Sequence, residues 1–241
     1  MNDLALVRLL EKRQSAVLST QQAAAALGLP VPGARVRLSK MVARGTLFRV
    51  MRGRYALPSE DPLAVASSLY FPSYVSLMAA FAHHGTTTQS PRILDVVNPV
   101  HSGRTGLSLE AGSYQIRFIR VPPSYLYGFS KVPIGHSFAL IAEKERAVID
   151  GLLFPRYAPL DETVECLRSG IDVPLLVHYA RRTGRKAVWK RLGHLLSQAS
   201  LEVSPRVFGK LSRTFVPLDP ALPRRGRYDS TWRVLVNTEI S

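Results

Sequence analysis

The side chains best suited to binding chemistry lie near the N-terminus, on one face of a predicted helix. Stepping 100° per residue through residues 32–44 puts the apolar residues on one side, namely Ala34, Leu38, Met41 and Val42. The opposite side carries mainly cationic and polar groups together with one apolar residue: Val36, Arg37, Ser39, Lys40 and Arg44. Cationic side chains can donate to guanine acceptors or to phosphates, and Val36 could touch a thymine methyl group. This face therefore predicts contacts with double-stranded DNA.

Three further arginines surround a predicted tight turn. The stretches Thr46–Met51 and Arg54–Leu57 are typical of two short strands joined at Arg52-Gly53, where glycine permits the turn. In such a hairpin the cations are placed for phosphate or minor-groove contacts: Arg49, Arg52 and Arg54. We expect this hairpin to form a second part of the same DNA contact.

The elements that position these residues follow the order of a winged helix-turn-helix domain. Residues 3–13 predict a first helix, and Ser19 with Gln22 forms a capping-box pattern that begins a second helix over the alanine-rich stretch that follows. The third helix starts near Pro32-Gly33 and ends before Gly45, a natural left-handed cap. Three helices followed by a basic hairpin indicate a winged helix over residues 1–58.

The distribution of charge supports a polyanionic partner. The chain has 241 residues and a formal net charge of +15. Residues 1–58 hold ten basic and two acidic side chains, so they contribute +8, and the remaining 183 residues contribute +7. Such a segment is typical of a nucleic-acid-binding module, with an acidic membrane surface as the rival partner. Winged helices also serve in protein contacts, in which case these charges would only be solvated.

Several classes of function find no support in the sequence. Cys166 is the single cysteine, so an intrachain disulfide is excluded and a cysteine-based zinc site is not expected. Because no glycine-rich phosphate loop, nucleophile elbow or HExxH pattern occurs, we expect no enzyme activity, cofactor or metal. Without a signal peptide or an apolar run of 18 residues, we expect a soluble cytoplasmic protein with no membrane partner.

The rest of the chain predicts a mixed α/β domain over residues 62–213 and a basic tail over residues 214–241, so the overall class is α+β. Predicted helices cover Leu63–Tyr70, Tyr74–His84, Glu143–Phe154, Leu160–Arg168, Val173–Thr183 and Lys186–Ala199. Predicted strands cover Ile93–Val97, Gly106–Leu109, Tyr114–Val121 and Ser137–Ile141, and Trp232–Val236 could close the tail as an edge strand.

A second basic run occurs in the predicted C-terminal domain. It contains Arg181, Arg182, Arg185, Lys186, Lys190 and Arg191. Helical spacing predicts that Lys186 and Lys190 face away from the apolar stripe of their helix. The run is either a solvated helix face, or an auxiliary phosphate patch or docking surface for an acidic or RNA-bound partner.

The acidic residues of one predicted helix are the remaining candidates for chemistry. Glu143 lies in its first turn, where the helix dipole favours an acid. Asp150 lies deeper in an apolar stretch and, if buried, needs a hydrogen-bond or cationic partner. We expect these carboxylates to be structural, with paired catalytic carboxylates as the alternative. Cys166 is expected to be a small core residue.

Three segments resemble the AbiEi-type antitoxin family. They are Gly45–Leu57, the segment Tyr74–Leu77 with Ala80 and His84-Gly85, and Ala142–Asp150 continuing through Leu152–Tyr157. The resemblance implies an N-terminal winged helix that represses its operon at promoter repeats. It also implies a non-enzymatic C-terminal domain that counters a nucleotidyltransferase-like toxin. This chain departs from the family in its long basic tail, Arg206 to Arg233, and regulators of this family also occur without a toxin.

Together these observations predict a DNA-binding regulator with an antitoxin-like or partner-binding body. One alternative is a nucleic-acid-processing enzyme whose site lies in the C-terminal domain, with the winged helix as a targeting module. A pure scaffold and a stand-alone regulator without a toxin are the others.

Overall fold

The structure is a computed structural model that describes residues 6–7, 15–201 and 203–240. Helices and three sheets make it an α+β protein, as the sequence predicts. It divides into an N-terminal unit, Met1–Val75 with Pro91–Ile141, and a C-terminal unit, Ser76–Ser90 with Ala142–Ser241. The functional domain boundaries predicted near residues 58–62 and 213–214 stay predictions. None of the described helices has the length and apolar character needed to cross a bilayer.

The first elements of the N-terminal unit have the winged-helix order. They are β1 (Leu18–Ser19), α1 (Thr20–Leu27), α2 (Val31–Ala43), β2 (Phe48–Met51) and β3 (Arg54–Ala56). The strands form a sheet in the order β1-β3-β2. Leu6 and Val7 are helical, and the rest of the predicted first helix, 3–5 and 8–13, lies outside the described residues.

The capping box that the sequence predicts at the start of α1 is present. The amide of Gln22 donates to the Ser19 hydroxyl at 3.1 Å, and the amide of Ser19 donates to the Gln22 side chain at 2.8 Å. Gly28 ends the helix in the left-handed conformation, with φ of 65°. These contacts satisfy backbone groups at both ends of α1 and fix the turn that leads into α2.

A small apolar core holds α1, α2 and the hairpin together. It contains Leu6, Leu18, Ala23, Leu38, Met41, Leu47 and Tyr55, each less than a tenth exposed. Burying each of the leucine and methionine side chains in this set stabilises the fold by about 1.5–3 kcal/mol. The core-facing side of α2 is therefore the one that helical spacing predicts.

The same unit contains a six-stranded mixed sheet. Its strands are β4 (Tyr74–Ser76), β5 (Ile93–Asn98), β6 (Gly103–Leu109), β7 (Gly112–Arg120), β8 (Phe129–Ile134) and β9 (Ser137–Ala142). Their order is β6-β7-β5-β4-β9-β8. The pairs β5–β7 and β4–β9 are parallel, and β6–β7 is antiparallel. The helix predicted to begin at Tyr74 is wrong over its first four residues. Tyr74–Ser76 form buried strand β4, which pairs with β9 at Val75, and Leu77 is a turn residue with φ of 55°.

The segment that joins the winged helix to this sheet is packed. The Pro58 carbonyl accepts from the Glu110 amide at 3.0 Å. Glu60 is buried, and its carboxylate accepts from the Ser137 hydroxyl at 2.7 Å. Asp61 caps α3 (Pro62–Ser68) by accepting from the amides of the first turn. Within the N-terminal unit, hydrogen bonds therefore fix this segment to the sheet.

The C-terminal unit is mainly helical. Its helices are α4 (Met78–His83), α5 (Lys144–Leu153), α6 (Leu160–Arg168), α7 (Val173–Arg182) and α8 (Lys186–Gln198). The chain then forms a second small sheet from β10 (Val216–Pro217), β11 (Arg227–Asp229) and β12 (Val234–Val236). The strand that the sequence places at an edge, β12, lies between the other two.

A tryptophan anchors the C-terminal sheet to α8. Trp232 is 1% exposed, and its indole nitrogen donates to the Ser197 hydroxyl at 2.8 Å. The ring lies against Gly193, where an added Cβ would overlap it. The basic tail is therefore a folded part of this unit.

Candidate nucleic-acid interface

The outer face of α2 presents the predicted side chains to solvent. Val36 is 59% exposed, Ser39, Lys40 and Arg44 are exposed, and Arg37 is half-buried. A shallow concavity of about 270 Å³ is lined by Gly33, Val36, Arg37, Lys40 and Arg44. The structure thus brings four of the five predicted residues to one surface, while Ser39 does not line it.

The position of this surface follows from the local sequence. Ala34, Leu38 and Met41 are fully buried, so the residues between them in the helix must face outward. Pro30 precedes the first turn of α2, and Pro32 lies within it, where a missing amide hydrogen costs little. The cationic face is therefore held on a rigid element rather than on a loop.

The hairpin formed by β2 and β3 is short and fixed at its tip. Gly53 has φ of 74°, and its carbonyl accepts from the Thr20 amide at 3.1 Å. Arg49 and Arg52 are exposed on this hairpin. The cations at these two positions are thus presented by a hairpin whose turn is tied to the start of α1.

Arg54 has a different environment from the other two hairpin arginines. It is half-buried and lines a separate cavity of about 470 Å³, together with Gln22, Lys131 and Phe71. The structure therefore does not bring Arg54 to the concavity of α2. Lys131 belongs to β8, a strand that sequence reasoning missed because Pro133 argues against a strand interior.

The second basic run is only partly a surface. Arg181, Arg182, Arg185 and Lys186 are exposed at the end of α7 and the start of α8. Lys190 is fully buried and Arg191 is 9% exposed, so the expectation that these two belong to an exposed patch is wrong. The predicted auxiliary patch can therefore contain only Arg181, Arg182, Arg185 and Lys186, and its binding to phosphate or to a partner stays a prediction.

The two buried cations hold the segment that leads into and forms β10. The Lys190 ammonium donates to the Ser212 hydroxyl at 2.9 Å and to the Thr214 carbonyl. The Arg191 guanidinium donates to the Pro217 carbonyl at 2.9 Å. Burial lowers the pKa of Lys190 below its ordinary value, and burial lowers the pKa of Arg191 as well. Their hydrogen bonds go to uncharged oxygens of the chain.

Two carboxylates, one in α5 and one just before it, accept hydrogen bonds from other side chains. Asp150 is fully buried and accepts from the Ser76 hydroxyl and from the Arg146 guanidinium, each at 2.7 Å. Asp150 therefore has the hydrogen-bond and cationic partners that a buried carboxylate needs. Glu143 precedes α5 but its side chain does not cap the helix, because it accepts from the Tyr179 hydroxyl at 2.6 Å.

Cys166 is fully buried, as expected of a small core residue. Burial raises the pKa of its thiol to about 11, so the thiol stays protonated at neutral pH. Within the part of the chain that the structure describes, no three histidine, cysteine, aspartate or glutamate residues are grouped to hold a metal ion.

No protein-family model matches the sequence, and no curated protein matches it. Among solved structures, the chain is similar to the crystal structure of the RV2827C protein from Mycobacterium tuberculosis, with a TM-score of 0.62. The two chains share 13% sequence identity, and the similarity covers 96% of this chain and 89% of that one. At this identity the likeness shows a shared fold over nearly the full length of both chains.

Proposed function

We propose that the protein binds specific sites in double-stranded DNA and acts as a transcriptional repressor. The observation that carries the proposal is the outer face of α2, where an exposed valine lies among Arg37, Lys40 and Arg44 in one concavity. An apolar side chain at such a place gains nothing from water, and it suits contact with a thymine methyl group. The cations beside it suit guanine acceptors and phosphates.

The proposed docking follows from the dimensions of the elements. The DNA major groove admits one α-helix, and α2 is a 13-residue helix whose outer face exposes Val36, Ser39, Lys40 and Arg44. In this arrangement Arg49 and Arg52 on the hairpin contact the neighbouring backbone. Phosphate contacts supply affinity and position, whereas the residues of α2 supply base preference.

For the C-terminal unit we propose a binding role rather than a catalytic one. Support comes from two carboxylates that are already hydrogen-bonded within the protein. Asp150 of α5 accepts from Ser76 and Arg146, and Glu143, which precedes α5, accepts from Tyr179. The sequence resemblance to AbiEi-type antitoxins suggests what this unit binds, a nucleotidyltransferase-like toxin. A stand-alone regulator uses the same DNA-binding surface without that partner.

The test is binding-site selection with the purified full chain on a library of random duplex DNA. The proposal predicts enrichment of one recurrent motif, and anisotropy titrations should show at least a thousandfold preference for that motif over unrelated duplex, on the order expected for specific sites. Binding without any enriched motif would reduce the role to non-specific attachment. Absence of binding at low salt would overturn the proposal altogether.

A further inference from the structure

The C-terminal unit contains a polar cavity that the proposed DNA contact does not use. It has a volume of about 760 Å³ and lies between α8 and the chain around β11 and β12. This volume falls within the roughly 300–1,000 Å³ range of small-molecule sites. Its polar lining includes the side chains of His194, Gln198, Arg225 and Arg227, together with those of Asn237 and Thr238.

His194 is the most constrained of these residues. It is 4% exposed, and its Nδ1 atom lies 2.7 Å from the Asp229 carboxylate. The other oxygen of Asp229 accepts from the amides of Thr231 and Trp232. The imidazole is thus oriented by a fixed carboxylate, and Nε2 makes no hydrogen bond to any described residue. An imidazole held in this way offers one polar atom to a ligand.

Two arginines provide the positive charge of the cavity. Arg227 and Asp229 are two residues apart in β11 and so lie on the same side of the strand. Arg225 and Arg227 are exposed, and neither guanidinium has an ion pair or hydrogen bond with a residue that the structure describes. Guanidinium groups bind phosphate oxygens in pairs of parallel hydrogen bonds.

The remaining lining residues restrict the chemical class of ligand that the cavity can bind. Leu218, Val236 and Ile240 form an apolar part of the wall, and Glu239 adds one carboxylate. Since Asp229 is already satisfied by His194 and two amides, the two arginines outnumber the remaining acid. A ligand that combines a doubly charged phosphate with an apolar or aromatic portion matches both parts of this wall.

We propose that this cavity binds a small phosphate monoester of the mononucleotide class. Arg225 and Arg227 hold the phosphate, His194 Nε2 and the Gln198 side chain hydrogen-bond to the phosphate or to a sugar hydroxyl, and the apolar wall covers the base. Because β11 and β12 form part of the cavity, the bound ligand stabilises the C-terminal sheet.

Calorimetric titration of the full chain tests this, with adenosine 5′-monophosphate, inorganic phosphate and adenosine as probes. The monophosphate should bind saturably and raise the melting temperature, and adenosine should bind at least about tenfold more weakly. If inorganic phosphate binds as tightly as the monophosphate, the apolar wall contributes nothing to binding and the mononucleotide assignment is overturned. No saturable binding of either phosphate probe at millimolar concentration would overturn the proposal.

Two arginine variants locate the site. The double variant Arg225→Gln with Arg227→Gln should weaken binding of the monophosphate by about tenfold or more. Because both side chains are exposed, the melting temperature without ligand should equal that of the wild type. Arg224→Gln is the matched control, since Arg224 is exposed beside the cavity but does not line it. Equal weakening by the control variant, or none by the double variant, would place the binding elsewhere.

Discussion

Two helices of this protein carry closely spaced basic residues, which are exposed on one helix and buried on the other. On α2, Lys40 and Arg44 are exposed around a concavity. On α8, Lys190 and Arg191 are buried and donate to oxygens of the segment that leads into and forms β10. The same residue types thus lie on an exposed face in one unit and form internal hydrogen bonds in the other.

The difference between the helices lies in what covers them. The outer face of α2 carries the exposed residues Val36, Lys40 and Arg44, whereas residues 212–217 lie against α8 and accept its hydrogen bonds. An exposed cation can release counterions from DNA when it binds, and a buried one cannot. Substitutions in the two helices should therefore separate DNA binding from stability.

The largest effect is expected from Lys40→Ala combined with Arg44→Ala. Base and phosphate contacts of this kind contribute about 1–3 kcal/mol each, so affinity for the selected site should fall at least about 30-fold. The melting temperature should not change, because neither side chain belongs to the core. Anisotropy titration and a thermal melt measure the two quantities.

The control for that pair is Arg206→Ala combined with Lys210→Ala. It removes the same two residue types from exposed positions in the C-terminal unit. If both double variants lose affinity equally, net charge rather than α2 determines binding.

Lys190→Ala should lower the stability of the fold and leave DNA binding unchanged. It removes a buried side chain and two hydrogen bonds, which predicts a loss of about 2–5 kcal/mol in the free energy of unfolding. Lys190→Met, which keeps the volume and removes the buried charge, should cost less. Neither variant should change the salt dependence of DNA binding at a temperature where it is folded. Denaturant unfolding with a parallel salt titration tests this, and a wild-type stability for Lys190→Ala would contradict the anchoring role.

Asp150→Asn is expected to have an intermediate effect on stability. The change weakens charge-assisted hydrogen bonds from Arg146 and Ser76 in a buried site, at a cost of about 1–3 kcal/mol. Asp161→Asn, which changes an exposed carboxylate in the first turn of α6, is the matched control and should cost less, about 0.3–1 kcal/mol from the lost helix-dipole interaction. The same samples should be incubated with metal ions, DNA, RNA and nucleoside triphosphates. Turnover by the wild type that disappears in Asp150→Asn would favour the enzyme alternative.

The smallest effect is expected from Arg52→Ala on the hairpin. One lost phosphate contact should reduce the slope of log K against log salt by about 0.9 and weaken binding to all sequences alike. Arg213→Ala, an exposed change in the C-terminal unit, should leave the slope unaltered. A changed base preference with an unchanged slope would instead make the hairpin a base-reading element.

Local patterns in the sequence were enough to predict the elements that position α2. The Ser19–Gln22 capping box and the apolar side of α2 depend on residues within one or two turns, where spacing determines the outcome. The need of Asp150 for a partner also followed from its apolar neighbours, although spacing could not identify Ser76.

Features that depend on distant packing could not be predicted in this way. Tyr74–Ser76 is three residues long and buried on all sides, so it shows no alternation and runs directly into helical residues. The burial of Lys190 depends on residues more than twenty positions later. The cavity of His194, Arg225 and Arg227 likewise exists only once the C-terminal sheet packs on α8.

The most direct test of the central claim, that the outer face of α2 reads base sequence, is to repeat the binding-site selection with Lys40→Asn. Lysine donates to guanine acceptors, whereas asparagine pairs with the acceptor and donor of adenine. We predict that the selected motif changes from guanine to adenine at one position and keeps its other positions. An unchanged motif, bound more weakly throughout, would show that Lys40 contacts only the backbone and would contradict the assignment of α2 as the reading helix.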